Sequence, residues 1–154
     1  MKIEDILSSD AILAEIKANI KKTVIEELAD FLNQQNLISN SSEVVRVLLE
    51  REQLGSTGIG ENVAIPHARM KGLDKIVAAF GISKKGIEFE SLDRKPVNFV
   101  FVLIAPEKAT GNHLKALARI SRLLKNPGFR SSLLKAPNKE AIYQLILNED
   151  SKLQ

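Results

Sequence analysis

The segment 98–105, which reads NFVFVLIA, constrains the fold of this chain more than any other stretch. After Asn98 every side chain is apolar, and β-branched and aromatic residues dominate, so the segment predicts a strand. A strand without a polar face has to be covered on both sides, which places it at the centre of a sheet. Pro106 closes this strand, because proline has no N–H to continue a ladder. The rest of the chain must therefore cover both faces of that sheet.

Segments with one apolar face supply these covering layers. Asn19 can cap a helix over about 20–35, and the apolar face of that helix begins at Ile20. Asn40 resembles the N-cap of a second helix over 41–53. Three further helices are predicted over 113–125, 129–134 and 139–147, the last of them capped by Asn138.

Weaker strand signals surround the central segment. Strands are predicted over 11–16, 63–65, 76–82 and 87–92, and a polar turn over 69–75. A strand, two helices, several strands and three helices in that order indicate an α/β fold. Several connections are short enough for hairpins, which favours a mixed sheet. We therefore predict a single three-layer domain over residues 1–154, a mixed β-sheet flanked by helices on both faces, with a frayed tail at 148–154.

Composition excludes several classes of protein. The chain has no cysteine, which rules out thiolate nucleophiles and thiolate metal sites. Its net charge is +3 and only 5% of its residues are aromatic, whereas nucleic-acid surfaces combine a basic stripe with aromatic side chains. No apolar run approaches the ~18 residues of a membrane span, and the N-terminal segment lacks the apolar core of a signal peptide. We expect a cytoplasmic protein with no nucleic-acid partner and no direct membrane insertion.

The stretch 55–67, GSTGIGENVAIPH, carries the residues best suited to chemistry. Its glycines predict a tight bend or a close approach of another group. Free N–H groups together with the hydroxyls of Ser56 and Thr57 suit phosphate oxygens. The short strand that follows ends at His67, whose neutral imidazole is a competent nucleophile near pH 7. These features indicate a histidine that accepts a phosphoryl group, and an ordinary turn beside a buried histidine is the alternative explanation.

Three blocks of the sequence resemble one family, in the same order along the chain. They read R-E-x-L-G-S-T-G-I-G-x-x-x-A-I-P-H at 51–67, D-R-K-P-V-x-F-V-F-V-L-I-A-P-E at 93–107 and H-L-K-A-L-A-R-I-S at 113–121. The blocks resemble type-2 enzyme IIA domains, the fructose, mannitol and nitrogen-regulatory branch of the bacterial phosphoenolpyruvate-dependent phosphotransferase system. The segments outside the site resemble the nitrogen-regulatory group most. Ala68 departs from the pattern, since many members have glycine there.

The resemblance implies roles for the candidate site residues. His67 would carry the phosphoryl group on Nε2, with its Nδ1–H held by a carbonyl. His113 would lie across the same pocket and donate a hydrogen bond to the phosphate, while Arg51 would add positive charge. Phosphate oxygens would also meet the loop residues Gly55, Ser56, Thr57 and Gly58. The resemblance implies no cofactor and no metal ion.

Two of these residues also have purely structural explanations. A basic side chain in the last turn of a helix is favoured by the helix dipole, which accounts for Arg51 without any ligand. His113 begins a leucine-rich helix and faces inward with Leu117 and Ile120, so a loop carbonyl could occupy its free ring nitrogen.

The resemblance further implies partners. The phosphoryl donor would be a small phosphohistidine carrier protein of the HPr/NPr type, docking on a rim that we expect at Ile59, Met70 and Leu114. The next partner would be either a regulatory target or an enzyme IIB of a sugar-uptake system. We expect a phosphorylation-dependent regulator, and a fructose- or mannitol-type uptake component is the alternative.

Overall fold

The computed structural model describes residues 1–153, which form five α-helices and six strands. The helices are α1 (Lys21–Gln34), α2 (Ser41–Gln53), α3 (Thr110–Leu124), α4 (Pro127–Lys135) and α5 (Lys139–Ser151). The strands are β1 (Ile12–Leu13), β2 (Gly58–Gly60), β3 (Val63–Ala64), β4 (His67–Met70), β5 (Val77–Ile87) and β6 (Val97–Pro106). Two 3₁₀ turns, Ile3–Asp5 and Ser9–Ala11, precede β1.

Strand β6 lies at the centre of the sheet, as its continuous apolar run predicted. β5 pairs antiparallel along one side of it, from Val77 opposite Ile104 to Ile87 opposite Val97. Two short strands follow one another in parallel along the other side, first β3 and then β4. β1 and β2 form the edges, so the path of the sheet is β1-β5-β6-β3-β2, with β4 also on β6. Residues 99–105 of β6 are all buried.

The helices cover both faces of this sheet and share one continuous core with it. α1 packs on α2 and on β5, α2 reaches β4, and α3 reaches β6. α5 packs on β1, on α4 and on the first 3₁₀ turn. The prediction of an α/β fold with a mixed sheet between helical layers is confirmed.

The helix starts show where side-chain capping holds and where it fails. Asn40 Oδ1 accepts the N–H of Glu43 at 3.1 Å, and the Asn138 side chain caps α5 in the same way, so both predicted caps are confirmed. The predicted cap at Asn19 is wrong, because α1 begins at Lys21 after an extended Ile20. The backbone of this segment pairs instead with Glu88, whose N–H donates to the Asn19 carbonyl. Ile20 is 49% exposed and does not belong to the apolar face.

The chain after Pro66 differs from the predicted strand end and polar turn. Pro66 interrupts the pairing along β6 between β3 and β4 only briefly, since its carbonyl accepts the N–H of Leu103 at 2.9 Å. His67 then pairs with Leu103, and the ladder continues to Met70. β4 therefore occupies residues 67–70, whereas the sequence predicted the end of a strand at His67 and a turn from Arg69 onward. The open side of β6 offers this segment backbone partners that its polar composition does not reveal.

Several smaller boundaries also differ. The first strand is only Ile12–Leu13, and α3 begins at Thr110 rather than at 113. The strand predicted over 76–82 continues to Ile87 in β5, whereas the separate strand predicted over 87–92 is wrong, because beyond Ile87 only an isolated bridge at Glu88 remains. α5 continues to Ser151, beyond the predicted start of the frayed tail. Asp150 in this helix is buried, and its Oδ1 accepts a hydrogen bond from Nε of Arg119 at 2.7 Å. Gln154, also part of the predicted tail, lies outside the described residues. No helix within residues 1–153 has the length and apolar character needed to cross a membrane.

Candidate functional site

The two histidines of the chain meet at one cleft. His67 is the first residue of β4, and His113 lies in the first turn of α3, which follows the central strand. Their ring centroids are 5.5 Å apart and the ring planes are tilted by 47°. Because β4 and the end of β6 are paired, the fold brings together two side chains that are 46 positions apart in the sequence. The sequence resemblance implied this pairing, and the structure places both rings in the same cleft.

A single hydrogen bond orients the ring of His67. Its Nδ1 lies 2.7 Å from the carbonyl oxygen of Ile65, two residues earlier. A carbonyl oxygen can only accept, so Nδ1 carries the hydrogen and Nε2 keeps a free lone pair. The tautomer is therefore the one in which Nε2 can act as a nucleophile.

The environment of His67 keeps its imidazole neutral near pH 7. Burial lowers the pKa of His67 below its usual value, since the charged form is poorly solvated there. The hydrogen bond to Ile65 opposes this shift, and the nearby Arg51 guanidinium lowers the pKa further. A neutral ring is the form that has a lone pair to donate.

His113 is buried and its polar capacity is not fully used. It is 7% exposed, and its Nδ1 has no hydrogen-bond partner within residues 1–153. The structural explanation offered from the sequence, a loop carbonyl on the free nitrogen, therefore does not hold for Nδ1. Burial, together with the proximity of His67 and Arg69, lowers the pKa of His113. A buried donor or acceptor without a partner is costly, so Nδ1 of His113 lowers the stability of the fold.

Arg51 stands at the edge of the same cleft. It lies in the last turn of α2, and its Nη1 donates to the carbonyl of Gly55 at 2.9 Å, just beyond the helix end. That bond agrees with the structural explanation, in which a basic side chain donates to the free carbonyl groups at the C-terminal end of a helix. The side chain also lines the cleft beside His67, so its charge is available to an anion there.

The glycine-rich loop does not reach the cleft, contrary to expectation. None of the residues lining the cleft within the described chain comes from Gly55, Ser56, Thr57 or Gly58. The Ser56 hydroxyl donates to the Phe89 carbonyl at 3.1 Å, and the Thr57 hydroxyl donates to the carboxylate of Glu52.

The glycine at position 58 has a packing explanation. A Cβ on Gly58 would come within 2.9 Å of the Cα of Ser91, so the loop needs glycine for close backbone packing. The glycines of the sequence correctly indicated that another group comes close to this backbone. That group is the loop of the same chain that contains Ser91.

Arg69, which was not predicted from the sequence as a site residue, lines the cleft two residues after His67. Its Nη1 donates to the Thr110 hydroxyl at 2.7 Å, at the start of α3. Residues i and i+2 of a strand share a face, so the strand alternation of β4 would have placed Arg69 beside His67. The prediction of a turn over 69–75 hid that signal.

Apolar side chains form the rim of the cleft. Leu54 is 84% exposed and Leu114 is 61% exposed, and Val47 and Leu117 lie beside them. Of the rim predicted from the sequence, only Leu114 lines this cleft, whereas Ile59 lies in a separate depression near Arg122. Within residues 1–153, no group of three or more His, Asp or Glu side chains is arranged to hold a metal ion.

Comparison with known proteins identifies the family. Residues 5–149 match the family model described as "Phosphoenolpyruvate-dependent sugar phosphotransferase system, EIIA 2". The chain belongs to this family, and it is a phosphotransfer component of that kind.

Relatives from two branches of the family are similar over nearly the whole chain. The nitrogen regulatory protein of Bradyrhizobium diazoefficiens is 42% identical, with 95% of each chain covered. The fructose-specific EIIABC component of Bacillus subtilis is 38% identical over 97% of this chain, which corresponds to 24% of that protein. The crystal structure of nitrogen regulatory protein IIA-Ntr from Neisseria meningitidis superposes with a TM-score of 0.86, at 33% identity and with 94% and 98% of the two chains covered.

Proposed function

We propose that this chain is a phosphocarrier that accepts a phosphoryl group on Nε2 of His67 and acts as a phosphorylation-dependent regulator. One observation carries the assignment of the acceptor: Nδ1 of His67 is occupied by the Ile65 carbonyl, which leaves Nε2 free beside His113. The nitrogen-regulatory function is supported by two relatives that are called nitrogen regulatory proteins. The matches cover 95% and 96% of the length of those relatives.

The transfer step exchanges one nitrogen–phosphorus bond for another. The Nε2 lone pair of His67 forms the new bond while the bond to the donor histidine breaks, and the donor imidazole leaves with that electron pair. Nδ1 of His67 keeps its hydrogen throughout, so no proton has to be transferred. The ring gains positive charge as the new bond forms, and the hydrogen bond to the Ile65 carbonyl becomes stronger for that reason.

The groups around His67 then have to stabilise the oxygens of the transferred group. A phosphoryl transfer passes through a loose transition state that depends on positioning and on charge stabilisation. His113 supplies a ring N–H for a phosphate oxygen, and its ring centroid lies 5.5 Å from that of His67. Arg51 and Arg69 supply positive charge from opposite elements, α2 and β4, and both line the cleft.

The phosphoryl donor is a small phosphohistidine carrier protein of the HPr/NPr type, and the exposed leucines of the rim form its docking surface. Two histidines can exchange a phosphoryl group only when they approach within the length of that group, so the contact has to be centred on the cleft. Leu54 and Leu114 offer exposed apolar area there. A transient complex of this kind needs only a modest interface.

Labelling in solution tests the proposal. The protein is incubated with phosphoenolpyruvate, enzyme I and the carrier, and its intact mass is measured. The wild type should gain one acid-labile phosphate, and His67→Ala should gain none while keeping a native circular dichroism spectrum. Acid-labile phosphate on His67→Ala would show that another residue is the acceptor.

A sugar-uptake component is the second candidate, because the fructose-specific relative is nearly as similar as the nitrogen-regulatory one. In that case the same His67 would pass its phosphoryl group to an enzyme IIB. The residues of the cleft serve both functions, so the distinction has to come from the partner.

A further inference from the structure

A buried polar network lies next to the cleft, at the junction of α1, α2 and the glycine-rich loop. Its centre is Glu52, which is 8% exposed and directly follows Arg51. The carboxylate accepts the N–H of Thr57 at 3.0 Å and the hydroxyl of the same residue. It also pairs with Lys21 Nζ at 3.1 Å, and that ammonium lies over the ring of Phe89. A buried carboxylate is tolerated only when it is paired and hydrogen-bonded in this way.

Thr57 connects this network to His67 through the backbone. The Thr57 carbonyl accepts the N–H of Ile65 at 3.0 Å. The carbonyl of the same Ile65 accepts the Nδ1–H of His67 at 2.7 Å. Ile65 is therefore held at its N–H by Thr57, and it holds the ring of His67 with its carbonyl. Pro66, which follows, limits the remaining freedom of this segment.

We propose that Glu52 is a positioning residue for His67 and that it acts through Thr57 and Ile65. The inference rests on the proposed role of His67 as the phosphoryl acceptor. Glu52 fixes both the N–H and the hydroxyl of Thr57, and the Thr57 carbonyl in turn fixes the residue whose own carbonyl selects the His67 tautomer. Glu52 does not line the cleft, so it would not touch the phosphoryl group.

This arrangement gives Thr57 a role different from the one expected of it. Its hydroxyl serves the carboxylate of Glu52 and is not directed at a phosphate. The negative charge of Glu52 also favours positive charge on the nearby imidazole, and it opposes the effect of Arg51 on the pKa of His67. That charge is useful during the transfer, when the ring of His67 becomes more positive.

The test uses Thr57→Val, which has nearly the same shape and loses the hydroxyl, and Glu52→Gln, which loses the charge. Ring-¹⁵N NMR of the unphosphorylated protein reports the tautomer of His67, and rapid-quench labelling by the phosphorylated carrier reports the transfer rate. Both variants should show a mixture of His67 tautomers and a transfer rate lower by about 10–100-fold, because small misplacements of a reacting group are costly. Thr57→Ser, which keeps the hydroxyl, should show the single His67 tautomer of the wild type and a transfer rate close to that of the wild type.

Ser83→Ala is the matched control. Ser83 is also a buried hydroxyl in a backbone contact, 3.1 Å from the N–H of Gly86, and it lies in β5 outside the cleft. The Ser83→Ala variant should be less stable than the wild type, with no change in the tautomer of His67 or in the transfer rate. If Thr57→Val and Glu52→Gln behave like Ser83→Ala, with a single Nδ1–H tautomer and the wild-type rate, the positioning role is wrong. Should either variant be too unstable to study, Thr57→Ser and the other variant still provide the comparison.

The result is separable from the proposed function. The tautomer is measured without any phosphorylation, so it reports on the hydrogen-bonded path even if His67→Ala were to show that the acceptor lies elsewhere. A tautomer that changes in the Thr57 and Glu52 variants at an unchanged transfer rate would overturn the contribution of Glu52 to catalysis.

Discussion

At the scale of single residues, the site depends on how two imidazoles are held. His67 lines the cleft and has its Nδ1 bound to a carbonyl, whereas Nδ1 of His113 is buried and has no hydrogen-bond partner among residues 1–153. The two rings therefore differ in role although they are close neighbours. The oriented ring is suited to attack and the other ring is suited to donate to what has been attached.

The first prediction at this scale concerns pH. The pKa of His67 lies below its usual 6.5, so the ring stays neutral until the pH falls below that value. The labelling rate should therefore be constant above pH 6.5 and should fall only below it. Because the unfolded chain takes up a proton near pH 6.5 and the folded ring does not, the free energy of unfolding should also decrease below that pH. An NMR titration in which His67 shows a midpoint above 6.5 would contradict this.

The second prediction concerns His113. His113→Ala should still be phosphorylated, but more slowly by about 10²–10³-fold, which is the typical effect of removing one donor to developing charge. The measurement is a single-turnover labelling rate at saturating phosphorylated carrier. If His113→Ala has native stability and is labelled at the wild-type rate, His113 has only a structural role.

The sequence identified the residues of this site better than it identified their surroundings. His67, His113 and Arg51 were found because the motif blocks carry them, and the structure places all three on one cleft. The loop hydroxyls were misjudged, since a sequence shows that Thr57 can bond an anion and does not show that Glu52 already fills that place. Arg69 was missed because strand pairing to β6 overrides the polar composition of residues 67–70.

At the scale of elements, β6 organises the molecule and the site together. Its apolar run predicted a central strand, and the structure adds that two consecutive short strands share its open side. The break between them falls at Ile65 and Pro66, which is where the carbonyl turns toward His67. The break between β3 and β4 therefore lies directly before the imidazole that lines the cleft.

The third prediction tests the packing role of the glycine-rich loop. Gly58→Ala would place a Cβ 2.9 Å from the Cα of Ser91, and backbone cannot yield easily. The variant should lose about 1–3 kcal/mol of unfolding free energy, measured by urea denaturation. Gly111→Ala is the control, because a Cβ at that helical position meets nothing within 4 Å and alanine is the better helix former. Equal stability of Gly58→Ala and the wild type would remove the packing explanation.

At the scale of the whole molecule, regulation by phosphorylation needs a surface that changes when His67 is phosphorylated. The rim of the cleft is apolar at Leu54 and Leu114, and two arginines lie within it. A phosphoryl group adds about 1.5–2 negative charges at the centre of that surface. A partner that is complementary to the unmodified rim would then face an uncompensated negative charge, so its affinity for the phosphorylated protein would be lower.

The fourth prediction follows for the regulatory partner. Its affinity for the two forms should differ by a coupling free energy of about 1–3 kcal/mol, measured by calorimetry with phosphorylated and unphosphorylated protein. A deletion strain should show altered nitrogen or potassium responses. If the strain loses only growth on fructose or mannitol, with those responses unchanged, the sugar-uptake function is the correct one.

Because the Ile65 carbonyl occupies Nδ1 of His67, we propose that the phosphoryl group is carried on Nε2 of that ring. The most direct measurement is NMR of ring-¹⁵N-labelled protein after phosphorylation through the carrier. We expect a one-bond nitrogen–phosphorus coupling at Nε2 of His67, with Nδ1 of the same ring still protonated. Coupling at Nδ1 of His67, or at either nitrogen of His113, would contradict it.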